Sequence, residues 1–269
     1  MPDSSRGLIE TSGLPPNEAR LLVAHALGKD RAWLVAHADA ELATGAAERA
    51  RALLARRRAG EPIAYILGRR EFHGLDLVVT PDVLIPRPES ELLVDLAIER
   101  LDRGAGRVLD LGTGSGAIAS AIACAAPRAE VWATDAAPVA LAVARANAAR
   151  LAPRVHLVRS DWFAALAGER FDVVAANPPY VAAEDPHLWQ GDLRFEPRAA
   201  LVGGADGLDC IRRIVSEARA CLTARGWLLF EHGHDQADAA RALLEAAGYR
   251  QVTSWPDLAG ILRVAGGHA

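Results

Sequence analysis

The run Val108-Leu109-Asp110-Leu111-Gly112-Thr113-Gly114-Ser115-Gly116 constrains the fold of this chain more than any other segment. An apolar stretch breaks there into alternating glycines and then into an Ala/Ile-rich stretch of helical character, Ala117 to Ala126. The pattern is that of a strand, a tight loop and a helix start. Glycine permits the sharp turn and lets a ligand approach the backbone closely, as at the first crossover of a nucleotide-binding α/β sheet. From Arg107 onward strand-like and helical stretches alternate, the sign of a parallel sheet covered on both faces. The glycine loop alone does not name the ligand. A dinucleotide fingerprint needs glycine at position 117, where the chain has Ala117, and no Lys-Ser/Thr pair follows as in a phosphate loop.

Acids at the strand ends narrow the choice. The run Glu130-Val131-Trp132-Ala133-Thr134 ends in Asp135, roughly 20 residues beyond the glycine loop, where a carboxylate would take the two hydroxyls of a ribose. After a third run, Val155-His156-Leu157-Val158, Ser160-Asp161-Trp162 offers an acid and an indole for the edge and face of an adenine. Asp110, Asp135 and Asp161 thus recur at three successive strand ends, which suits a cationic sulfonium cofactor and would repel a pyrophosphate. The expected cofactor-binding set is Asp110, Gly112, Thr113, Gly114, Ser115, Gly116, Asp135, Asp161 and Trp162, joined by Asn177.

Asn177-Pro178-Pro179-Tyr180 directly follows a fourth apolar run, Phe171-Asp172-Val173-Val174-Ala175-Ala176. The prolines remove backbone donors and fix φ near about −65°, so the turn's carbonyls are left to accept from a ligand. Asn177 adds a side-chain acceptor. Two acceptors facing one NH2 group would hold both its hydrogens, and the Tyr180 ring could stack on the conjugated group behind it. Taken alone, the segment also fits an ordinary proline-rich turn closing a buried strand.

Composition bounds the remaining possibilities. The 269 residues, 51% of them hydrophobic, can bury one substantial core and a small second one. A net charge of −4 argues against tight binding of nucleic acid through phosphates. Lys29 is the only lysine, so the arginines with the many alanines reflect a GC-rich genome rather than a nucleic-acid partner. Cys124, Cys210 and Cys221 are scattered, with neither disulfide nor zinc spacing. No basic-then-apolar leader opens the chain and no run of about 18 apolar residues occurs, so a cytoplasmic protein without membrane contact is expected.

The chain divides near residue 70. Residues 17 to 60 carry apolar positions at helical period, among them Leu21, Leu22, Leu34, Leu53 and Leu54, and predict a small bundle. Two short alternating runs about His73-Gly74 predict a β-hairpin between Tyr65 and Val83. Other segments read more plainly. Arg56-Arg57-Arg58 fits a solvated helix face better than a site for an acidic partner. His232-Gly233-His234 fits a turn better than a metal site, for want of a third ligand. The irregular stretch from Val181 to Gly207, with Trp189 and Phe195, is expected to cover the substrate.

With these residues quoted, the chain resembles the S-adenosylmethionine-dependent methyltransferases of the HemK/PrmC type, which methylate a glutamine side-chain amide in class 1 peptide release factors. The likeness covers nearly the whole chain. It includes Leu84-Ile85-Pro86-Arg87-Pro88-Glu89-Ser90-Glu91, where threonine is more usual than Ser90, then Glu196 to Leu201 with Gly203-Gly204 and Asp206-Gly207-Leu208, and Leu228-Leu229-Phe230-Glu231-His232-Gly233. Asp257 to Arg263 departs from the family by lacking a polar residue between its glycine and arginine. The resemblance implies a seven-stranded, Rossmann-like class I methyltransferase domain over residues 87–269. It also implies a helical substrate-recognition domain over residues 1–64 and a hairpin linker over 65–86. Asn177, Pro178 and Tyr180 would be catalytic, and Asn177, Pro178, Pro179 and Tyr180 would bind the substrate, the glutamine of a Gly-Gly-Gln loop. The cofactor would be S-adenosyl-L-methionine, with no metal. Because the same clamp serves exocyclic amines, a base-methylating enzyme is the nearest rival; a ribosomal-protein acceptor and a non-catalytic cofactor-binding protein are the others.

Overall fold

A computed structural model describes residues 4–269. The chain forms two compact units, one running through Arg69 and taking in Gln190–Phe195, the other comprising Arg70–Trp189 and Glu196–Ala269.

The first unit contains helices α1 (Ser5–Glu10), α2 (Pro16–Leu27), α3 (Arg31–Ala36), α4 (Thr44–Arg58) and α5 (Ile63–Leu67). Its core is made by helical periodicity: Ala19, Leu22 and Val23 of α2 meet Ala47, Ala50 and Leu54 of α4, closed by Leu8, Leu34 and Ile66. Gly28 ends α2 at φ 62°, the left-handed cap that glycine takes without strain. The stretch expected to open a hairpin at Tyr65 continues as helix to Leu67. The boundary between units therefore falls at Arg69/Arg70 rather than after residue 64. The expected solvated face holds for Arg56 and Arg58, which are exposed, with Arg56 paired to Glu61. Arg57 departs from it: half-buried, it donates to Glu18 at 2.7 and 3.1 Å and to Asp192 at 2.9 Å.

Strands β1 (Arg69–Phe72) and β2 (Leu75–Val78) form the hairpin. His73 and Gly74 both take positive φ, 49° and 75°, the paired left-handed geometry of a two-residue hairpin turn. Helix α6 (Glu91–Glu99) then leads into β3 (Ala105–Leu111), α7 (Ala117–Ala125), β4 (Arg128–Asp135), α8 (Pro138–Leu151), β5 (His156–Arg159) and β6 (Phe171–Ala176). After the long loop come α9 (Asp209–Ala218), β7 (Leu222–Glu231), α10 (Ala237–Ala246), β8 (Arg250–Pro256) and β9 (Leu262–His268). The seven strands lie in the order β5-β4-β3-β6-β7-β9-β8, parallel except for β9, which runs antiparallel to both its neighbours.

Strand alternation builds two cores. Val108, Val131, Val173 and Leu229 face α6 and α7, whereas Leu109, Val174, Leu228 and Phe230 face α9 and α10. The order reverses beside β3, whose neighbours β4 and β6 lie on opposite sides, and in such sheets ligands bind at the carboxyl ends of the strands at that reversal. Leu111 pairs with Ala176, and Ala176 with Phe230. The glycine loop, the Asn177 turn and Glu231 therefore leave the sheet side by side.

Candidate active site

A cavity of about 270 Å3 opens at this reversal, within the second unit. Gly112, Thr113, Gly114, Ser115, Asp135, Asp161, Trp162, Asn177, Pro178 and Pro179 all line it. The sequence-predicted residues are thereby brought together, with three exceptions: Asp110, Gly116 and Tyr180 do not line the cavity. Gly116 instead caps the start of α7 at φ 80°, with Ala144 so close that an added Cβ would lie 3.2 Å from it.

The expectation of three acids facing the ligand is corrected by their partners. Asp110 is fully buried, and its Oδ2 accepts from Thr113 Oγ1 at 2.5 Å and from the Ala119 N–H at 3.0 Å, which pins the loop to α7. Burial pushes its carboxyl up to about 7. Asp161 is spanned by Arg213, with contacts of 3.0 and 3.2 Å, so its charge is compensated at the surface. Asp161 and Asp135 both line the cavity, and Asp135 is the one of the two without an arginine partner. Each of its oxygens accepts one backbone N–H, from Ala137 and from Gly114, and each keeps a lone pair for a ligand hydroxyl.

These features fit a nucleoside with a sulfonium group. Asp135 supplies acceptors of the kind a ribose diol needs, while Ile118, Ala136, Ala137 and Trp162 give an apolar slot for a base. Gly112 and Gly114 adopt φ of 78° and 55°. No cluster of three potential metal ligands occurs among the described residues. His232 is buried in a turn, its Nδ1 2.8 Å from the Gly233 carbonyl, and the three cysteines are free.

At the turn, Asn177 Nδ2 donates to Ser90 Oγ at 2.9 Å, and Ser90 Oγ donates to Glu231 Oε2 at 2.5 Å. Tyr180 donates its hydroxyl to Glu231 Oε1 at 2.9 Å, which holds the ring against the α9-side core rather than in the cavity. Burial raises the carboxyl of Glu231, while the two hydroxyl donors oppose the shift. Burial likewise raises the Tyr180 phenol, with the Glu231 charge adding to it, so Tyr180 stays a donor. Ser90 and Glu231 lay inside segments whose family likeness was visible in sequence, but their link spans 141 residues and needed the fold.

The loop after the turn is ordered by backbone contacts. Val181 N donates to the Leu201 carbonyl and Gly203 N to that of Val181, both at 2.9 Å. Gly203 packs so closely that a Cβ there would lie 2.4 Å from the Pro179 carbonyl oxygen. Glu196, buried, accepts from the Ile85 N–H at 3.1 Å and pairs with Arg87 at the cavity rim. Trp189 stays exposed, with Arg198 stacked 4.5 Å from its ring centre.

Comparison with known proteins agrees with this architecture. Residues 5–68 match the PrmC N-terminal domain and residues 89–191 the methyltransferase small domain. The release factor glutamine methyltransferase of Bordetella pertussis is 55% identical over 98% of each chain, and that of Escherichia coli is 44% identical over 93% of this chain and 90% of its own. Among solved structures, a methyltransferase from Pyrococcus furiosus shares the fold at 22% identity, with a TM-score of 0.56 over 80% of this chain and 95% of its own. The Thermus thermophilus 16S rRNA N2 G1207 methyltransferase, solved with AdoMet and guanosine, does so at 21% identity, with a TM-score of 0.54 over 74% of this chain and 49% of its own. With near full-length identity well above what a shared fold alone would give, the chain belongs to the release factor glutamine methyltransferase family.

Proposed function

We propose that the protein transfers a methyl group from S-adenosyl-L-methionine to the side-chain amide nitrogen of the glutamine in the Gly-Gly-Gln loop of class 1 release factors. The observation that carries this reading is a single cavity lined by the glycine loop and Asp135 together with Asn177 and Pro178. Asp135, the glycine loop and Trp162 would hold the cofactor, which when bound supplies an electrophilic methyl on a cationic sulfur.

An amide nitrogen is a poor nucleophile because its lone pair is delocalised into the carbonyl. The chain must therefore align it and favour positive charge on it. Asn177 Oδ1 and the Pro178 carbonyl are the two acceptors for the NH2 group, and their hydrogen bonds strengthen as the N–CH3 bond forms and the S–CH3 bond breaks. Alignment supplies much of the remainder, up to about 7 to 11 kcal/mol in well-oriented systems. The proton on nitrogen leaves to solvent after transfer. Tyr180, expected to stack on the amide, is held by Glu231 instead and fixes the far end of the turn.

Methyl-labelled cofactor incubated with enzyme and cell extract tests the acceptor. Label should survive nuclease, be released by protease and map to glutamine in a release factor. Label that disappears with nuclease would instead support a base as acceptor. Asn177→Ala should cost transfer about 2.7 to 4 kcal/mol, the scale for one transition-state hydrogen bond. Normal turnover in that variant would remove the clamp.

A further inference from the structure

Asn177 can act as an acceptor only if its carboxamide is turned with oxygen toward the ligand, and nothing within the side chain itself enforces that choice. A carboxamide rotated by half a turn would present NH2 to the substrate NH2, two donors facing each other. The surrounding hydrogen bonds make the choice. Asn177 Nδ2 lies 2.9 Å from Ser90 Oγ, and Ser90 Oγ lies 2.5 Å from Glu231 Oε2. Ser90 is 3% exposed and Glu231 is 1% exposed, so water does not compete for these groups. A hydroxyl has one proton. As a carboxylate, Glu231 can only accept, so Ser90 spends its proton there and its oxygen is left to accept from Asn177. The second carboxylate oxygen is occupied by the Tyr180 hydroxyl at 2.9 Å, which ties both ends of the turn to one residue at the end of β7.

We propose that Ser90 and Glu231 are positioning residues for methyl transfer: their hydrogen-bond chain fixes the polarity of the Asn177 carboxamide and so aims Oδ1 at the acceptor amide. The inference rests on the reading of Asn177 as the NH2 clamp. Neither Ser90 Oγ nor Glu231 needs to touch the acceptor for this role. The chain acts through direction of donation, so removing the acceptor of the Ser90 proton should be as harmful as removing the bond to Asn177.

Three single variants of the full-length enzyme separate these possibilities, assayed with a release factor for kcat and KM and by calorimetry for cofactor binding. Ser90→Ala should lower kcat by about ten- to a hundredfold, the scale on which losing the partner of a functional group is felt. Cofactor affinity should stay within about twofold, since Asp135, the glycine loop and Trp162 are untouched by the change. Ser90→Thr, which keeps the hydroxyl, should recover most of kcat. Glu231→Leu removes the acceptor that takes the Ser90 proton, and should lower kcat comparably without loss of cofactor binding. In an Asn177→Ala background, Ser90→Ala should add little, because there is no carboxamide left to orient. Wild-type kcat in Ser90→Ala, or additive losses in the double variant, would overturn the inference. If Ser90→Ala fails to fold, Glu231→Leu decides alone, and wild-type kcat there is equally fatal. Should Asn177→Ala itself keep full turnover, the clamp reading fails first; should it lose turnover while both positioning variants keep it, only the present inference falls.

Discussion

Asp135 Oδ2 accepts a hydrogen bond from the Gly114 backbone N–H at 2.9 Å, so an acid that lines the cavity also braces the glycine loop. Asp135→Ala should therefore weaken S-adenosylmethionine binding by at least the roughly 1.5 to 3 kcal/mol of a hydrogen bond to a charged group, because the loop loses a fixing point too. Calorimetry on a variant with native circular dichroism measures it. Unchanged affinity would take Asp135 out of the site.

Asp110 gives the protein a pH signature. Burial pushes its carboxyl from an ordinary 3.8 up to about 7, so between these values the folded chain holds a proton that the unfolded chain has released. Stability contributed through this group accordingly falls as pH rises across that window, with a limiting slope of about 1.4 kcal/mol per pH unit. Asp110→Asn should flatten the fall. Thermal melts of both proteins from pH 5 to 8 make the comparison, and parallel curves would show that Asp110 does not titrate there.

Arg57 is the third point of test. It joins Glu18 of α2 to Asp192 of the inserted segment and also donates to the Glu61 carbonyl at 3.2 Å. Arg57→Ala should destabilise the helical unit by roughly 1 to 3 kcal/mol, as partly buried charge-assisted bonds do, and should raise KM for the release factor. Cofactor affinity should hardly change, since every residue lining the cofactor cavity lies in the second unit. Removing residues 1–62 should act in the same direction and more strongly. Loss of cofactor binding in a folded truncation would refute this division of labour.

How far the site could be read in advance depended on sequence distance. The β3–α7 turn was legible because strand, glycines and helix are contiguous, and the hairpin because His73-Gly74 carries its own turn chemistry. Asn177 to Pro179 stood out for the same local reason. What could not be read were pairings across the fold. Asp161 lines the cavity, but its pairing with Arg213, 52 positions on, left no local trace. Tyr180 looked like a stacking ring until Glu231 claimed its hydroxyl. Asp110 carried the signal of a strand-end acid but not the sign of its burial. Gln190–Phe195, with little periodicity, gave no hint that it packs with the helical unit.

Because Gly203 abuts the Pro179 carbonyl with backbone alone, the middle of the turn is braced by atoms that every residue type shares, while side chains hold its two ends. Apart from Asp192 and Glu196, the segment between them can change its sequence, and with it any protein surface it meets, while the turn keeps its form as long as position 203 stays bare. Acceptor choice and methyl-transfer chemistry are thereby free to evolve at different rates within one chain.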